Sequence, residues 1–224
     1  LITLLMMIIL IILVGGLTRL TDSGLSITTW ELFVGTLPPL TSDKWIEYFD
    51  LYKTIPEYKE QNFNMTLNEF KIIFWWEWAH RQLGRLIGLT VLLPMIYFTI
   101  KNGFWILREY SIIFFLVCFQ GFIGWYMVSS GLIDRIDVSH YRLSLHLVTA
   151  FIILSIVFWK YLNLTVIKIN HVNIKLNLIK FFLLLLFLQL IIGAFVSGMD
   201  AGKIYNTWPS VSYTHLTLPT ILRV

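Results

Sequence analysis

Five apolar runs, at roughly 1–17, 83–100, 110–128, 143–162 and 177–196, decide most of what this chain can become. About 20 apolar residues span the hydrocarbon core of a bilayer as a helix, and a segment in lipid must satisfy its own backbone polar groups. Composition agrees, because only 13% of the 224 residues are charged and 57% are hydrophobic. A soluble domain carries about 25% charged residues, and the mean hydropathy here is +0.75. The expected fold is an all-α membrane protein. The first run starts at Leu1 with neither a basic leader nor a cleavage site, so it reads as a transmembrane helix whose beginning is missing, not as a signal peptide. The single cysteine, Cys118, excludes an intramolecular disulfide and any cysteine-based metal cluster. Lysines are dispersed with no basic, aromatic-interleaved face, which argues against nucleic acid as a partner.

Charge in the links sets the orientation. Residues 160–180 carry Lys160, Lys168, Lys175 and Lys180 with no acid, and the short link after the second run adds Lys101 and Arg108. Residues 15–80 hold nine acids against five bases. The positive-inside rule therefore places 101–109 and 160–180 inside, and 15–80, 129–142 and 197–209 outside. In the long outer loop, Ser42 or Asp43 reads as the cap of a short amphipathic helix, and Thr66 with Glu69 as a capping box that launches the next one. Phe74, Trp75, Trp76 and Trp78 fall where an interfacial aromatic belt belongs.

An internal repeat gives the chain its plan. GGLTRLTDSGLSITTW (15–30) closes the first run and GAFVSGMDAGKIYNTW (193–208) closes the fifth. They match at Gly15/Gly193, Asp22/Asp200, Gly24/Gly202, Thr29/Thr207 and Trp30/Trp208, at a constant offset of 178. Both fall at one topological point, which favours duplication of a four-helix unit over two independent glycine-rich helix exits. The expected architecture is an N-terminal four-helix transmembrane bundle (1–164, with the outer loop 15–80), followed by an inner loop and the first helix of a pseudo-symmetric second bundle (165–209). Residues 210–224 bear no relation to the repeat and read as an unrelated tail or truncation scar. His215 lies in that tail and is given no function.

Costly charge at the mouth of the second run points to a site. Glu77, His80, Gly84 and Gly88 share one helical face. Gly84-x-x-x-Gly88 serves either as a small-residue packing surface or as a bed for a flat ring system. On the fourth run Arg142 and His146 also share a face. The orientation puts His80 and His146 at equal depth near the outer ends of helices expected to be antiparallel neighbours. Two facing histidines in a helical bundle can hold haem iron, and Arg81, Arg85 and Arg142 are placed to bind its propionates. Each histidine could instead be an interfacial side chain bonded to water or backbone. Glu77 pairs with Arg81 in the favourable order, or handles protons and positive charge beside a porphyrin edge. His140 cannot share the face of His146 and is expected in the outer loop, and His171 is expected to be solvated in the inner loop.

GGLTRLTDSGLS (15–26), FWWEWAHRQLGRLIGL (74–89), YRLSLHL (141–147) and GAFVSGMDAGKIYNTWP (193–209) together resemble the heme A synthase family of alpha-proteobacteria and mitochondria. The resemblance covers residues 1–209. It implies eight helices in two pseudo-symmetric halves and oxidation of a methyl group of heme O to formyl, giving heme A for cytochrome c oxidase. His80 and His146 would be the pair at the substrate haem, and Glu77 the acid that assists methyl oxidation. The family's second histidine pair, which holds a haem b, would fall beyond the fifth helix, so this chain would be inactive alone. Heme O synthase and oxidase assembly are implied partners, with a possible homo-oligomer, in a bacterial inner membrane or a mitochondrial one. Outside the resemblance, a b-type cytochrome that only carries electrons and a haem-free assembly scaffold stay open. A pair confined to one membrane depth, with an acid beside it, counts against the electron carrier.

Overall fold

The computed structural model describes residues 1–30, 34–165, 176–204, 210–211 and 214–215. Among the described residues the regular elements are helices joined by turns and irregular links, apart from two antiparallel two-residue strands, Ser210–Val211 and Thr214–His215. Helix α1 is Ile2–Leu20, α2 Ser42–Tyr52, α3 Pro56–Glu60, α4 Leu67–Asn102, α5 Trp105–Asp134, α6 His140–Leu164, α7 Leu176–Gly198 and α8 Ala201–Ile204. Five of them, α1 and α4 to α7, are long and apolar enough to cross a membrane. The chain is an integral membrane protein of the all-α class. Lys168, His171 and Lys175 of the inner loop, Thr207 and Trp208 of the repeat, and most of the tail lie outside the described residues.

Packing closes α1, α4, α5 and α6 into a ring in which each touches the next, and α7 lies against α6. Toward the inner side, Leu4, Leu5 and Ile8 of α1 meet Ile87 and Val91 of α4, Ile113 of α5, and Ile153 and Val157 of α6. Ring closure corrects one expectation. α4 and α6 both follow an outer segment, so they run the same way, and they face each other across the diagonal instead of lying as antiparallel neighbours.

Helix α4 has 36 residues, about 54 Å at 1.5 Å per residue, well beyond the roughly 30 Å hydrocarbon core. Its outer turns therefore stand clear of the spanning portion. They start where the expected capping box forms, with Thr66 and Glu69 each bonding the other's backbone. Phe70, Ile73 and Phe74 on these turns bury against Leu25, Ile27, Phe49, Tyr52 and Ile55 of the outer segment. The cap of α2 is Thr41, one residue before the expected pair, because its hydroxyl reaches the Lys44 N–H.

The repeat has a structural counterpart. Asp22 and Asp200 are the non-glycine residues with positive φ among those described, at 47° and 50°. The left-handed region is one that aspartate tolerates better than most residues. Each ends its helix with the same turn, 178 residues apart. Arg19 ties the two turns together. Its Nη1 donates to Asp22 Oδ1 at 2.7 Å, and its Nη2 to Asp200 Oδ2 at 3.1 Å and the Ser197 carbonyl at 3.0 Å. Asp137 lies 3.6 Å from the same guanidinium, and burial pushes its carboxyl above the ordinary value although Arg19 opposes this.

Candidate functional site

His80 and His146 meet in the middle of the ring. Their centroids are 6.5 Å apart with the planes tilted by 43°. Both sit between the apolar inner core and the aromatic outer cluster. The space for each imidazole comes from a glycine on a neighbouring helix. A Cβ built on Gly15 of α1 would stand 2.9 Å from His80 Cε1, and one on Gly124 of α5 would stand 3.1 Å from His146 Cε1. Both rings thus lie on bare backbone. Neither glycine was singled out from sequence as a seat for a ring, and the available signal, a glycine in an apolar helix, is shared by many packing sites.

The remaining expected residues separate into those near the rings and those held elsewhere. On α4, a Cβ at Gly84 would touch only Ile11, at 3.8 Å, and one at Gly88 would meet nothing within 4 Å, so this face stays thin beside His80. Glu77 is buried, with 3% of its surface exposed, and its carboxylate is turned to the outer segment. Oε2 accepts from the Ser26 hydroxyl at 2.7 Å and the Ile27 N–H at 2.8 Å. Oε1 accepts from Arg81 Nε at 3.0 Å and Nη2 at 2.5 Å. The helix ion pair read from sequence is therefore present, with two further donors that spacing could not reveal.

Arg81 also donates to the carbonyls of Ile27 (2.8 Å) and Thr29 (3.3 Å) and lies over the Trp30 ring. Two of its bonds thus hold Glu77 and two hold the outer segment to α4, the latter task shared by Gln82, which donates to the carbonyls of Gly35 and Thr36. Arg85 joins Arg81, Thr29 and Trp78 along a small cleft between α4 and that segment. Arg142 bonds Ser130 and Tyr126 of α5 and stacks over the Tyr126 ring. His140 is not in a loop: it opens α6 and packs on Phe195 and against Gly198 of α7.

The donor set suits a metal that brings most of its own ligands. Among the described residues no cluster of three or more His, Cys, Asp or Glu could hold a bare ion. Two imidazoles facing each other across the bundle are a donor pair that suits a metal in a four-nitrogen macrocycle. At a metal–nitrogen bond of about 2 Å, two imidazoles straddling one atom have centres roughly 6 Å apart, close to the observed separation. His146 Nδ1 and the amide oxygen of Gln120 are buried without a hydrogen-bond partner, a strain that a bound group could relieve by reorienting the ring.

Comparison with known proteins shows which family the chain falls in. The family model for the COX15-CtaA cytochrome oxidase assembly protein matches residues 1–220. The heme A synthase of Pelagibacter ubique is 55% identical over 214 residues, which is 95% of this chain and 64% of that protein. That of Rhodopseudomonas palustris strain BisA53 is 48% identical, covering 89% of this chain and 56% of the relative. That of Flavobacterium psychrophilum is also 48% identical, covering 90% and 61%. The chain thus spans less than two thirds of the length of these relatives. No solved structure matches it.

Proposed function

The chain belongs to the COX15-CtaA family of cytochrome oxidase assembly proteins, and from that premise we propose that it serves heme A synthesis, holding heme O as substrate between His80 and His146 while a methyl group on the ring is oxidised to formyl. The observation that carries this reading is the pair of imidazoles 6.5 Å apart across the bundle diagonal. Methyl oxidation of this kind takes up oxygen from water and releases electrons and protons, so an electron acceptor completes the reaction.

Each residue of the site then has a task. His80 and His146 bind the iron of the substrate and fix the ring plane. Gly84 and Gly88 let the macrocycle approach α4. Arg85, with Arg81 and Arg142, supplies positive charge for the propionates, Arg85 from the cleft, Arg81 while holding the outer segment to α4, and Arg142 while holding α6 to α5. Glu77 is the acid of the site, one turn from His80 and held in place by Ser26, Ile27 and Arg81. It opposes positive charge that develops on the ring and exchanges protons. A resident haem b is assigned to the part of the relatives' length that the match does not cover. The site would lie at the outer face of a bacterial cell membrane, receiving its substrate from heme O synthase and delivering product to cytochrome c oxidase assembly.

The test is product analysis. The full coding sequence is expressed in a host that makes heme O but not heme A, and pigments are extracted from the membranes. Heme A is expected with the wild-type chain and is expected to disappear with His80→Ala or His146→Ala. Undiminished heme A from both variants would overturn the reading.

A further inference from the structure

We propose that Gln120 is the positioning residue for His146: its amide oxygen accepts the Nδ1 proton of the imidazole and so presents Nε2 to the iron. The inference rests on the haem-binding reading of the histidine pair. Gln120 and Gly124 are four residues apart on α5 and share the face toward α6. Gly124 removes the side chain that would meet the ring, since a Cβ there would stand 3.1 Å from Cε1 and 3.7 Å from Nδ1. Gln120 Nε2 donates to the His146 carbonyl at 2.9 Å. A carbonyl only accepts, so the amide orientation is settled by this bond: the nitrogen must face it and the oxygen is left over.

That oxygen is buried and has no partner, and His146 Nδ1 is buried and has none either. One is an obligatory acceptor. The other is the nitrogen that carries the proton once Nε2 ligates a metal. Metal-bound histidines almost always donate this proton to a nearby acceptor, which fixes the tautomer and makes the ligand more basic. Here the acceptor belongs to a side chain already fastened to the histidine's own backbone, so in the haem-bound state the imidazole turns its Nδ1 proton to that oxygen. In sequence, Gln120 is one polar residue in an apolar run, and nothing marks which helix it faces.

The experiment uses the full chain loaded with ferric haem, and reads haem affinity and the ferric/ferrous midpoint potential of the bound haem. Gln120→Leu removes the acceptor and keeps the bulk. Gln120→Glu supplies a stronger acceptor. Leu is expected to weaken haem binding about tenfold and to raise the potential, because a less basic ligand favours ferrous iron. A tenfold change in the ferric-to-ferrous affinity ratio is about 59 mV for a one-electron couple. Glu is expected to shift the potential the opposite way. Opposite signs support the hydrogen bond, whereas a packing role would move both variants in one direction. Shifts of the same sign, or no shift in either with haem still bound, would overturn the proposal. Should the Leu variant fail to fold, Gln120→Asn, which shortens the reach, replaces it with the same expected sign. A wild-type chain that binds no haem would instead sink the haem-binding reading itself, and is told apart by its missing Soret band.

Discussion

Gly15→Ala should cripple haem binding while leaving the fold intact. The new methyl would stand 2.9 Å from His80 Cε1 and 3.4 Å from Nδ1, against an ordinary carbon–carbon contact of about 3.5–4.0 Å. The ring must therefore retreat by roughly 0.6 Å or more. On its far side lies the His146 ring, 6.5 Å away between centroids and itself seated on Gly124, so any retreat of His80 narrows the spacing that a metal held between the rings needs. Overpacking of this kind costs about 1–3 kcal/mol. The empty protein can shed the strain by rotating His80, but a ligated His80 has no such freedom, so most of the cost falls on the bound state. A loss of about 1.4 kcal/mol is tenfold in affinity, and a tenfold to hundredfold weakening is expected. Titrating purified protein with haem and following the Soret band measures it. Gly124→Ala, with its methyl at 3.1 Å from His146 Cε1, should weaken binding less, and Gly16→Ala, which meets nothing within 4 Å, should leave it unchanged. Wild-type affinity in Gly15→Ala, or an equal loss in Gly16→Ala, would refute the argument.

Glu77→Gln keeps an oxygen for the Ile27 N–H but discards the charge that meets Arg81; haem should still bind while heme A formation is lost, and retained product in extracted pigments would remove Glu77 from the chemistry. Arg19→Gln leaves Asp22, Asp137 and Asp200 facing one another without their shared cation; because these acids are about a third exposed, a loss of only about 1 kcal/mol is expected, read as a lower thermal midpoint in detergent. Glu57 is buried beneath α2, where burial drives its carboxyl from 4.5 up to about 8 although the Tyr52 hydroxyl donates to it at 2.6 Å. Its folded state therefore holds a proton that the unfolded chain has released, so stability of the outer subdomain should fall as pH rises from about 4.5 to about 8. Tryptophan fluorescence during denaturation checks this slope, and Glu57→Gln should flatten it.

The membrane spans were legible because apolar runs of that length have few other uses, and the capping box at Thr66 was legible because it is local. The repeat was visible as well, down to the aspartates: Asp22 and Asp200 match in sequence and share one left-handed turn. Arg19 fastening those turns was not visible, since a repeat gives equivalence and says nothing about contact. His80 and His146, expected at one depth, do lie ring to ring, yet their helices are not antiparallel neighbours, because depth along a helix does not specify the order around a ring. Glu77 was read for its helix face, but three of its partners and supports, Ser26, Ile27 and the buried outer segment, lie about fifty residues away. His140 was misplaced for a related reason. Packing against Phe195 and Gly198 extends α6 by a turn that the apolar run alone does not require.

The central claim is that His80 and His146 ligate one iron from opposite sides. Electron paramagnetic resonance of the ferric haem-loaded chain tests it most directly. A low-spin signal of two axial imidazoles is expected, converting to high spin when either histidine alone becomes alanine. A wild-type signal that is already high spin, or a low-spin signal that survives both single substitutions, would contradict the account.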